Sequence, residues 1–213
     1  MHKFLAFFFK HLYHGFAWAY DLVANIVSLG RWKKWILEIL PLLQGSNVLE
    51  LGFGPGHLQV ALQNNGFIAF GLDESIQMGR MAVHRLSLSG KKQTHRIVRA
   101  IAEAIPYPVS SFDCIVATFP TPYIFLPETI SEIARVLRKD GKLVILLAAK
   151  PTGQNLPERF ITWLFSITGE SPPDEISRPG LIEPFTKAGL RADISWIQGE
   201  NCKLLVVTAI KIK

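Results

Sequence analysis

Hydrophobic and polar positions change their spacing once along this chain, near residue 45. Over residues 4–43 the apolar positions recur at mixed intervals of three and four residues, which predicts helices that end at Pro41. Beyond residue 45, short apolar runs alternate with helical stretches of about ten to fifteen residues, which is typical of an α/β domain. We therefore predict an N-terminal helical extension over 1–44, acting as a cap, and one α/β domain over 45–213.

The strands of this domain are predicted to lie mostly parallel, because helical crossovers return the chain to the same edge of the sheet. The last two apolar runs are separated only by residues 198–201, so we expect an antiparallel hairpin at the sheet edge. The fold class is therefore α/β, with a doubly wound, mostly parallel sheet of seven strands. The predicted strands are NVLELG, FIAFGLD, HRIVRAIA, FDCIVATF, KLVILLAA, LRADISWI and CKLLVVTAIKI, and the predicted helices cover 56–65, 75–89 and 127–137, the last ended by Asp140-Gly141.

A segment rich in Pro and Gly, residues 151–178, interrupts this alternation after the fifth strand. It encloses ERFITWLFSI, whose apolar positions, Trp163 among them, are too many for an exposed helix. These residues either pack into the core or form a lid over the functional site, and both interpretations stay open.

Composition narrows the class of protein. Hydrophobic residues make up 49% of the 213 residues and the mean hydropathy is +0.24, which excludes general disorder. The net charge is +6, but Lys and Arg are scattered singly or in pairs, which argues against a nucleic-acid partner. Cys114 and Cys202 lie in apolar strands without metal-ligand spacing, so we expect buried thiols in a reducing cytosol and no metal site.

The apolar N-terminal extension raises the question of a membrane. Its first run, residues 4–9, is too short for a signal peptide, and no cleavage site of small residues follows. The next run, residues 12–29, contains His14, Asp21 and Asn25 and is too polar for a typical spanning helix. We expect a cytoplasmic protein, with peripheral contact between the N-terminal helices and the inner face of the membrane left open. The sequence does not indicate an oligomeric state.

The first strand of the domain ends in a dense glycine turn. Gly52, Gly54 and Gly56 alternate with single residues, which lets the backbone bend and approach a ligand closely. The turn leads into a helix at the carboxyl edge of the sheet, where open α/β folds bind ligands. About twenty residues on, Asp73 ends the second strand at the spacing typical of a carboxylate that binds ribose hydroxyls. The pattern predicts a ligand that contains a nucleoside.

Two details of the turn favour a ligand other than a dinucleotide. The dinucleotide pattern G-x-G-x-x-G is replaced here by G-x-G-x-G, and His57 stands where the third glycine would be. Glu50 adds a negative charge beside the turn, which disfavours a phosphate and suits a cationic ligand or one that carries an ammonium group.

Four motifs in this order, ELGFGPG, GLDES, AEAIPYPVSSFD and ISEIARVLRKDGKLVILL, resemble those of class I S-adenosylmethionine-dependent methyltransferases. The resemblance is closest to the ubiquinone/menaquinone-biosynthesis-like (methyltransferase type 11) branch and runs from about Tyr20 to Ala148. It implies a Rossmann-like methyltransferase domain with an antiparallel last strand. It also implies S-adenosylmethionine as the cofactor and S-adenosylhomocysteine as the product.

The resemblance further implies a set of cofactor-binding residues. The glycine turn would cradle the methionine part, with Glu50 supporting the loop and the amino group. Asp73 would hold the ribose hydroxyls, Phe119 would border the transferred methyl group, and Tyr20 would close over the cofactor from the extension. The full set is Tyr20, Glu50, Gly52, Phe53, Gly54, Gly56, Asp73, Glu74, Ser75, Met78, Ala102, Glu103 and Phe119.

Several members of this set also have a structural interpretation. Asp73 and Ser75 are both good caps for the helix that follows them, and the two roles are compatible. Glu103 is either close to the ligand or an exposed loop acid. Where relatives usually carry an acidic residue before the alanine, this chain has Ile101, so the adenine amino group is expected to bind backbone groups or Glu103.

The predicted function is transfer of a methyl group to a small hydrophobic acceptor, such as a lipid or a quinone precursor. Methyl transfer needs alignment and exclusion of water more than acid–base chemistry, so no catalytic residue is assigned. The candidates for a base are His14, His57 and Tyr123, each of which also has a packing interpretation. Two alternatives stay open: a non-catalytic adenosyl-ligand-binding protein that docks a partner or a membrane, and an NAD-dependent oxidoreductase.

Overall fold

The computed structural model describes residues 32–90, 96–152 and 178–212. Within these ranges the strands are β1 (Asn47–Leu51), β2 (Ile68–Asp73), β3 (Ile97–Arg99), β4 (Phe112–Thr118), β5 (Leu137–Pro151), β6 (Leu190–Gln198) and β7 (Cys202–Lys211). The α-helices are α1 (Trp32–Leu37), α2 (His57–Asn64), α3 (Ile76–Leu88), α4 (Pro127–Val136) and α5 (Arg178–Lys187). Short 3-10 helices cover Leu40–Leu42 and Pro122–Phe125.

All of the strands form one sheet in the order β3-β2-β1-β4-β5-β7-β6. The pairs β2–β3, β1–β2, β1–β4 and β4–β5 are parallel, and β7 runs antiparallel to both β5 and β6. The predicted fold class is therefore confirmed, including the C-terminal hairpin with β6 at the edge. This order puts β1 in the middle of the parallel part, so its carboxyl end lies between those of β2 and β4.

Alternation along the central strands creates two apolar layers, one on each face of the sheet. Leu49 and Leu51 of β1 belong to the layer covered by α4 and α5, whereas Val48 belongs to the layer covered by α1 and α2. Both cysteines are buried, as predicted: Cys114 and Cys202 lie in the second layer. Because both faces of the sheet are covered, the sequences of these strands are continuous runs of apolar residues.

Two elements differ from the sequence-based prediction. The helix predicted over 127–137 ends one residue earlier, at Val136, and Asp140-Gly141, expected to end it, already belong to β5, because Leu137 is fully buried and pairs with Phe112 of β4. Helix α5 was not predicted, since its two prolines and one glycine disguise the helical spacing. Its Phe185 is fully buried in the first apolar layer, and this packing outweighs the poor helix propensity of the segment.

The N-terminal extension and the insert fall largely outside the described residues. Residues 1–31 and 153–177 are not described, so the cap over 1–44, the lid-like insert over 151–178 and the domain boundaries stay predictions. Helix α1, where the described part begins, buries Trp35 and Ile36 in the second apolar layer. Among the described residues, no helix combines the length and the apolar character needed to cross a bilayer.

Candidate functional site

The glycine turn after β1 has a backbone that glycine adopts easily and other residues rarely do. Gly52, Gly54 and Gly56 have φ angles of +68°, +52° and +83°. A Cβ on Gly56 would lie 2.8 Å from the Cβ of Ala82 in α3, whereas a Cβ on Gly54 would meet nothing within 4 Å. Gly56 therefore allows close helix packing, and Gly54 leaves open space in which a ligand can approach the backbone.

Asp73, at the end of β2, ties this turn to the start of α3. Its Oδ2 accepts a hydrogen bond from the N–H of Gly54 and its Oδ1 accepts one from the N–H of Ser75, both at 2.8 Å. Burial raises the pKa of Asp73, the two N–H groups oppose that shift, and the neighbouring Glu74 adds to it. Each carboxylate oxygen keeps a second lone pair, so ribose hydroxyls can still bind there.

The residues around Asp73 divide between exposed and buried. Ser75 caps α3, because its Oγ accepts a hydrogen bond from the N–H of Met78 at 3.3 Å. Glu74 is exposed, whereas the side chains of Met78 and Phe53 are 1% and 4% exposed and pack inward. The ring of Phe53 occupies the space that a Cβ on Gly71 of β2 would need. The backbone of Phe53 therefore forms part of the turn, and its side chain packs in the core.

Glu50 is a buried acid directly beneath the turn. Its side chain is 2% exposed, and its Oε2 accepts a hydrogen bond from Nε2 of the fully buried Gln59 in α2 at 2.8 Å. The same amide nitrogen donates to the carbonyl oxygen of Phe70 in β2 at 3.0 Å. Burial raises the pKa of Glu50 well above its usual value, the Gln59 bond opposes that shift, and the charge of Asp73 adds to it.

The loop after β3 lies beside Asp73 and is held from below by α4. The N–H of Ala100 donates to the carbonyl oxygen of Asp73 at 3.2 Å, which fixes the start of the loop. Glu132 accepts from the N–H of Ile105 at 2.8 Å, and Arg135 donates to the carbonyl oxygen of Ile105, also at 2.8 Å. The ion pair between Glu132 and Arg135 lowers the pKa of Glu132. We refer to Glu132 and Arg135 together as the α4 clamp.

The α4 clamp supports the residues expected to lie near adenine. Ala102 is buried, Glu103 is half-buried, and Ile101 is 46% exposed. The N–H of Ala104 donates to the carbonyl oxygen of Ile101 at 3.2 Å, so these residues form a tight turn. Ile101 thus presents an apolar surface to solvent.

Aromatic side chains form a wall on the other side of the glycine turn. Phe119 follows β4 with a φ of +48°, a strained value for a bulky residue, and its N–H donates to the carbonyl oxygen of Leu146 at 2.7 Å. Its ring stacks on Trp32 of α1, with the ring centres 6.4 Å apart. Trp32 also meets the ring of His57 edge to face, at 5.5 Å. We call Trp32, His57 and Phe119 the aromatic wall.

Tyr123, in the 3-10 helix after β4, reaches the first glycine of the turn. A Cβ on Gly52 would lie 2.9 Å from the phenolic oxygen of Tyr123, so only a glycine leaves room for that ring. Of the three candidates for a base, His57 and Tyr123 therefore both border the turn, from different sides. His14 lies outside the described residues, as does Tyr20 among the predicted cofactor-binding residues.

A cavity of about 530 Å³ opens next to this site, between α3 and β3. Phe53, Asp73 and Ser75 line its mouth, and the rest of its wall comes from the outer face of α3 and from β3. It shares these three residues with the predicted set and none of the glycines of the turn. The open space at Gly54 and this cavity therefore both adjoin Asp73.

The structure adds three residues that sequence reasoning did not select. Gln59 binds Glu50, Trp32 completes the aromatic wall, and Arg135 supports the loop after β3. Each acts across the fold, at separations of nine, 87 and 30 residues along the chain, so no local motif marks them. Only one sequence feature points to Trp32: it forms a pair with Trp35, in WKKW, shortly before the domain begins.

Comparison with known families gives a match over most of the chain. The model of the ubiE/COQ5 methyltransferase family matches residues 5–170. The ubiquinone/menaquinone biosynthesis C-methyltransferase UbiE of Citrobacter koseri is 29% identical over 167 residues. That alignment covers 74% of this chain and 65% of the relative, so the chain matches slightly less than two thirds of that relative's length.

Solved structures with the same fold include several that are methyltransferases by name. A proposed S-adenosyl-L-methionine-dependent methyltransferase from Methanococcus maripaludis superimposes with a TM-score of 0.62 at 20% identity, covering 90% of each chain. Phosphoethanolamine N-methyltransferase 2 of Haemonchus contortus superimposes with a TM-score of 0.58 at 17% identity, covering 86% of this chain and 53% of the other. At such low identity these superpositions establish the fold alone.

Proposed function

The chain belongs to the ubiE/COQ5 methyltransferase family, and from that premise we propose that it transfers a methyl group from S-adenosylmethionine to a small apolar acceptor. The observation that carries the proposal is the left-handed glycine turn beside Asp73 at the carboxyl edge of the sheet. This arrangement combines a turn whose N–H groups are held by Leu72, Phe53 and Asp73, open space above Gly54, and a carboxylate at the end of the neighbouring strand.

The residues present fit this cofactor. Open space above Gly54 suits the methionine part, the buried carboxyl group of Glu50 lies beneath the turn, and Asp73 keeps lone pairs for ribose. The turn formed by Ile101–Ala104 borders the adenine position, where exposed Ile101 supplies an apolar contact in place of an acid. When bound, the sulfonium of the cofactor supplies an electrophilic methyl group.

The protein's own part in the reaction is alignment and exclusion of water. Transfer requires the acceptor atom to lie within about 3–3.5 Å of the methyl carbon and in line with it. Phe119 and Trp32, whose rings stack on each other, offer a partly exposed apolar surface against which an acceptor can pack. His57 lies at the edge of that surface and can accept a proton from a carbon or oxygen acceptor.

The acceptor class follows from this surface and from the relatives. The aromatic wall contains no Asp, Glu, Lys or Arg, so it favours an apolar planar acceptor over a polar one. The UbiE relative is named for ubiquinone and menaquinone biosynthesis and for methylation at carbon. We therefore propose a quinone-like acceptor. We also propose that the N-terminal residues contact the membrane surface, from which the protein reaches this acceptor.

Titration calorimetry with S-adenosylmethionine, S-adenosylhomocysteine and NADH tests the cofactor. We expect the first two to bind and NADH to give no heat. A thermal-shift assay supplies the same comparison, because only a ligand that binds the folded state raises the melting temperature. Binding of NADH alone would favour the oxidoreductase alternative.

A labelled-methyl assay tests catalysis. The protein is incubated with a cell extract and methyl-labelled cofactor, and the organic phase is analysed for labelled product. We expect transfer that is abolished in Gly54→Val and in Asp73→Ala. Cofactor binding without transfer to any extract component would leave the non-catalytic binding protein as the better interpretation.

A further inference from the structure

Glu50 and Gln59 have structural features beyond those needed to support the glycine turn. Both side chains are almost completely buried, and together they link β1, β2 and α2, since Gln59 also donates to the carbonyl oxygen of Phe70. The Oε1 atom of Gln59 is buried and has no hydrogen-bond partner among the described residues. A buried acceptor without a donor is costly, and it marks this site for a further interaction.

Glu50 lacks a positive partner on the described elements that pack against it. On β2, Asp73 carries the same sign of charge. On α2, the ring of His57 meets Trp32, and on α3 the guanidinium of Arg85 donates to the carbonyl oxygen of Pro55. On β4, the pKa of the Cys114 thiol is raised to about 11 by burial, so this group is neutral. A carboxylate at Glu50 would therefore be a buried, unpaired charge.

A buried carboxyl group without a cation is far more stable in its neutral form. The neutral form also carries an O–H donor into a region where Gln59 holds an unpartnered acceptor. The charged form becomes favourable only when a cation arrives from the crevice above the turn. Such a cation would be close to Glu50 and shielded from water, where charge pairing is strong.

We infer that Glu50 is neutral in the free protein and releases its proton to solvent when a ligand's ammonium group enters the glycine turn, so that Glu50 and Gln59 select ammonium-bearing ligands by proton exchange. This inference rests on the proposed cofactor. In the exchange the O–H bond of Glu50 breaks, the proton passes to water or buffer, and the carboxylate pairs with the ammonium group. Gln59 is a positioning residue, since it holds the carboxyl group and does not touch the ligand.

Proton release on binding is measured by titration calorimetry in buffers that differ in ionisation enthalpy. The experiment is run at pH 6.5, where the ligand's ammonium group is charged, in phosphate and in imidazole. Two ligands are compared: S-adenosylhomocysteine, which carries the ammonium group, and 5′-methylthioadenosine, which lacks the whole amino-acid part. We expect net proton release when the first ligand binds and no release with the second.

Two variants test the roles of the pair. Glu50→Gln keeps the hydrogen-bonding shape without the charge, so we expect no proton release and a loss of affinity for S-adenosylhomocysteine of at least about tenfold. Its affinity for 5′-methylthioadenosine should stay within about threefold of the unmodified protein. Gln59→Met removes the amide that holds Glu50, and we expect weaker binding of S-adenosylhomocysteine with a changed pH dependence of affinity.

The outcomes separate this inference from the proposed function. Binding of S-adenosylhomocysteine with the same heat in both buffers would overturn the proton exchange and leave the proposed function standing. Proton release by 5′-methylthioadenosine as well would also overturn it, because the ammonium group would not be the cause. If neither ligand binds, both the proposed function and this inference fail. The central measurement uses the unmodified protein, so it does not depend on the folding of a variant.

Discussion

At the scale of single residues, the turn after β1 separates packing from ligand binding. Gly56 is needed because Ala82 of α3 occupies the space of a side chain, and Gly52 is needed because Tyr123 does. Gly54 faces open space, and its N–H is tied to Asp73. A pattern of three glycines indicates a tight turn, but the neighbours of each one decide what a substitution there would damage.

Substitution of each glycine by alanine should therefore have a different effect. Gly54→Ala should weaken S-adenosylhomocysteine binding at least about tenfold, because the added methyl group enters the crevice, and should cost about 1–2 kcal/mol of unfolding free energy through backbone strain. Gly56→Ala should cost about 2–4 kcal/mol, since a clash with α3 adds to the strain. Denaturant unfolding and calorimetry measure the two effects.

Gly66 supplies the control for strain alone. Its φ is +83°, and a Cβ there would meet nothing within 4 Å, but it lies at the far end of α2 from the turn. Gly66→Ala should lose about as much stability as Gly54→Ala and keep its ligand affinity. An equal loss of affinity in both variants would contradict the role assigned to Gly54.

The aromatic wall makes a second prediction at this scale. Trp32→Ala removes the ring that stacks on Phe119, so the KM for an apolar acceptor should rise about tenfold while the Kd of S-adenosylhomocysteine changes little. Trp32→Phe keeps an aromatic surface and serves as the matched control. Steady-state kinetics with a quinone-like acceptor separate these effects. A rise in the Kd of S-adenosylhomocysteine with an unchanged acceptor KM would refute the proposed role of the wall.

At the scale of elements, the site depends on helices that do not contribute ligand-binding side chains. The α4 clamp fixes the loop after β3 from beneath, and α1 supplies the aromatic wall from outside the sheet. A second arginine, Arg138 at the start of β5, pairs with Asp113, which accepts from the N–H groups of Ser46 and Asn47 at the opposite edge of the sheet. Arg138 also donates to the carbonyl oxygen of Ser110 at 3.3 Å, so the two arginines hold different parts of the loop between β3 and β4, Arg135 at Ile105 and Arg138 next to the start of β4.

Arg135 and Arg138 form a matched pair of substitutions. Arg135→Ala frees the loop that carries Ala102 and Glu103, so the Kd of S-adenosylhomocysteine should rise about three- to tenfold. Arg138→Ala acts on the amino-terminal edge of β1, far from the crevice, and should leave that Kd unchanged. Both ion pairs are partly exposed, so the loss of each ion pair should itself cost less than about 1 kcal/mol of unfolding free energy. Equal Kd values in the two variants would rule out the positioning role of the α4 clamp.

At the scale of the whole molecule, burial on both faces of the sheet makes the charge at Glu50 costly. Its pKa is raised in the folded state, so it favours folding below its ordinary value of 4.5, and this contribution is lost as pH rises through the higher folded value. The carboxyl group of Asp113 behaves in the opposite way. Its pKa is lowered by the N–H groups and Arg138, so it favours folding above its ordinary value of 3.8 and loses that contribution in acid.

These signs predict how Glu50→Gln changes the stability of the ligand-free protein. Near pH 4 the variant and the unmodified protein should melt at similar temperatures, because both then carry a neutral group at position 50. As pH rises towards 8 the variant should become the more stable of the two by a few degrees. Thermal melts followed by circular dichroism from pH 4 to pH 8 measure the difference. A variant that is less stable at pH 8 would show that the charge at Glu50 is already compensated.

The sequence by itself determined the α/β fold class, the succession of strands along the chain, the C-terminal hairpin and the family. These features follow from local spacing: apolar runs, crossover lengths and the glycine turn are each written within a few neighbouring residues. It also selected Asp73 and Glu50, which adjoin that turn in the chain or lie at a standard spacing from it.

Only the tertiary structure decided how those residues are held. The partnership of Glu50 with Gln59, the stacking of Trp32 on Phe119 and the end of α4 at Val136 all depend on contacts between distant segments. Helix α5 forms because the burial of Phe185 outweighs the propensity of its prolines. Such contacts depend on which faces of the helices and strands pack together in the folded protein. The spacing of residues within one segment does not show which other segment it will contact.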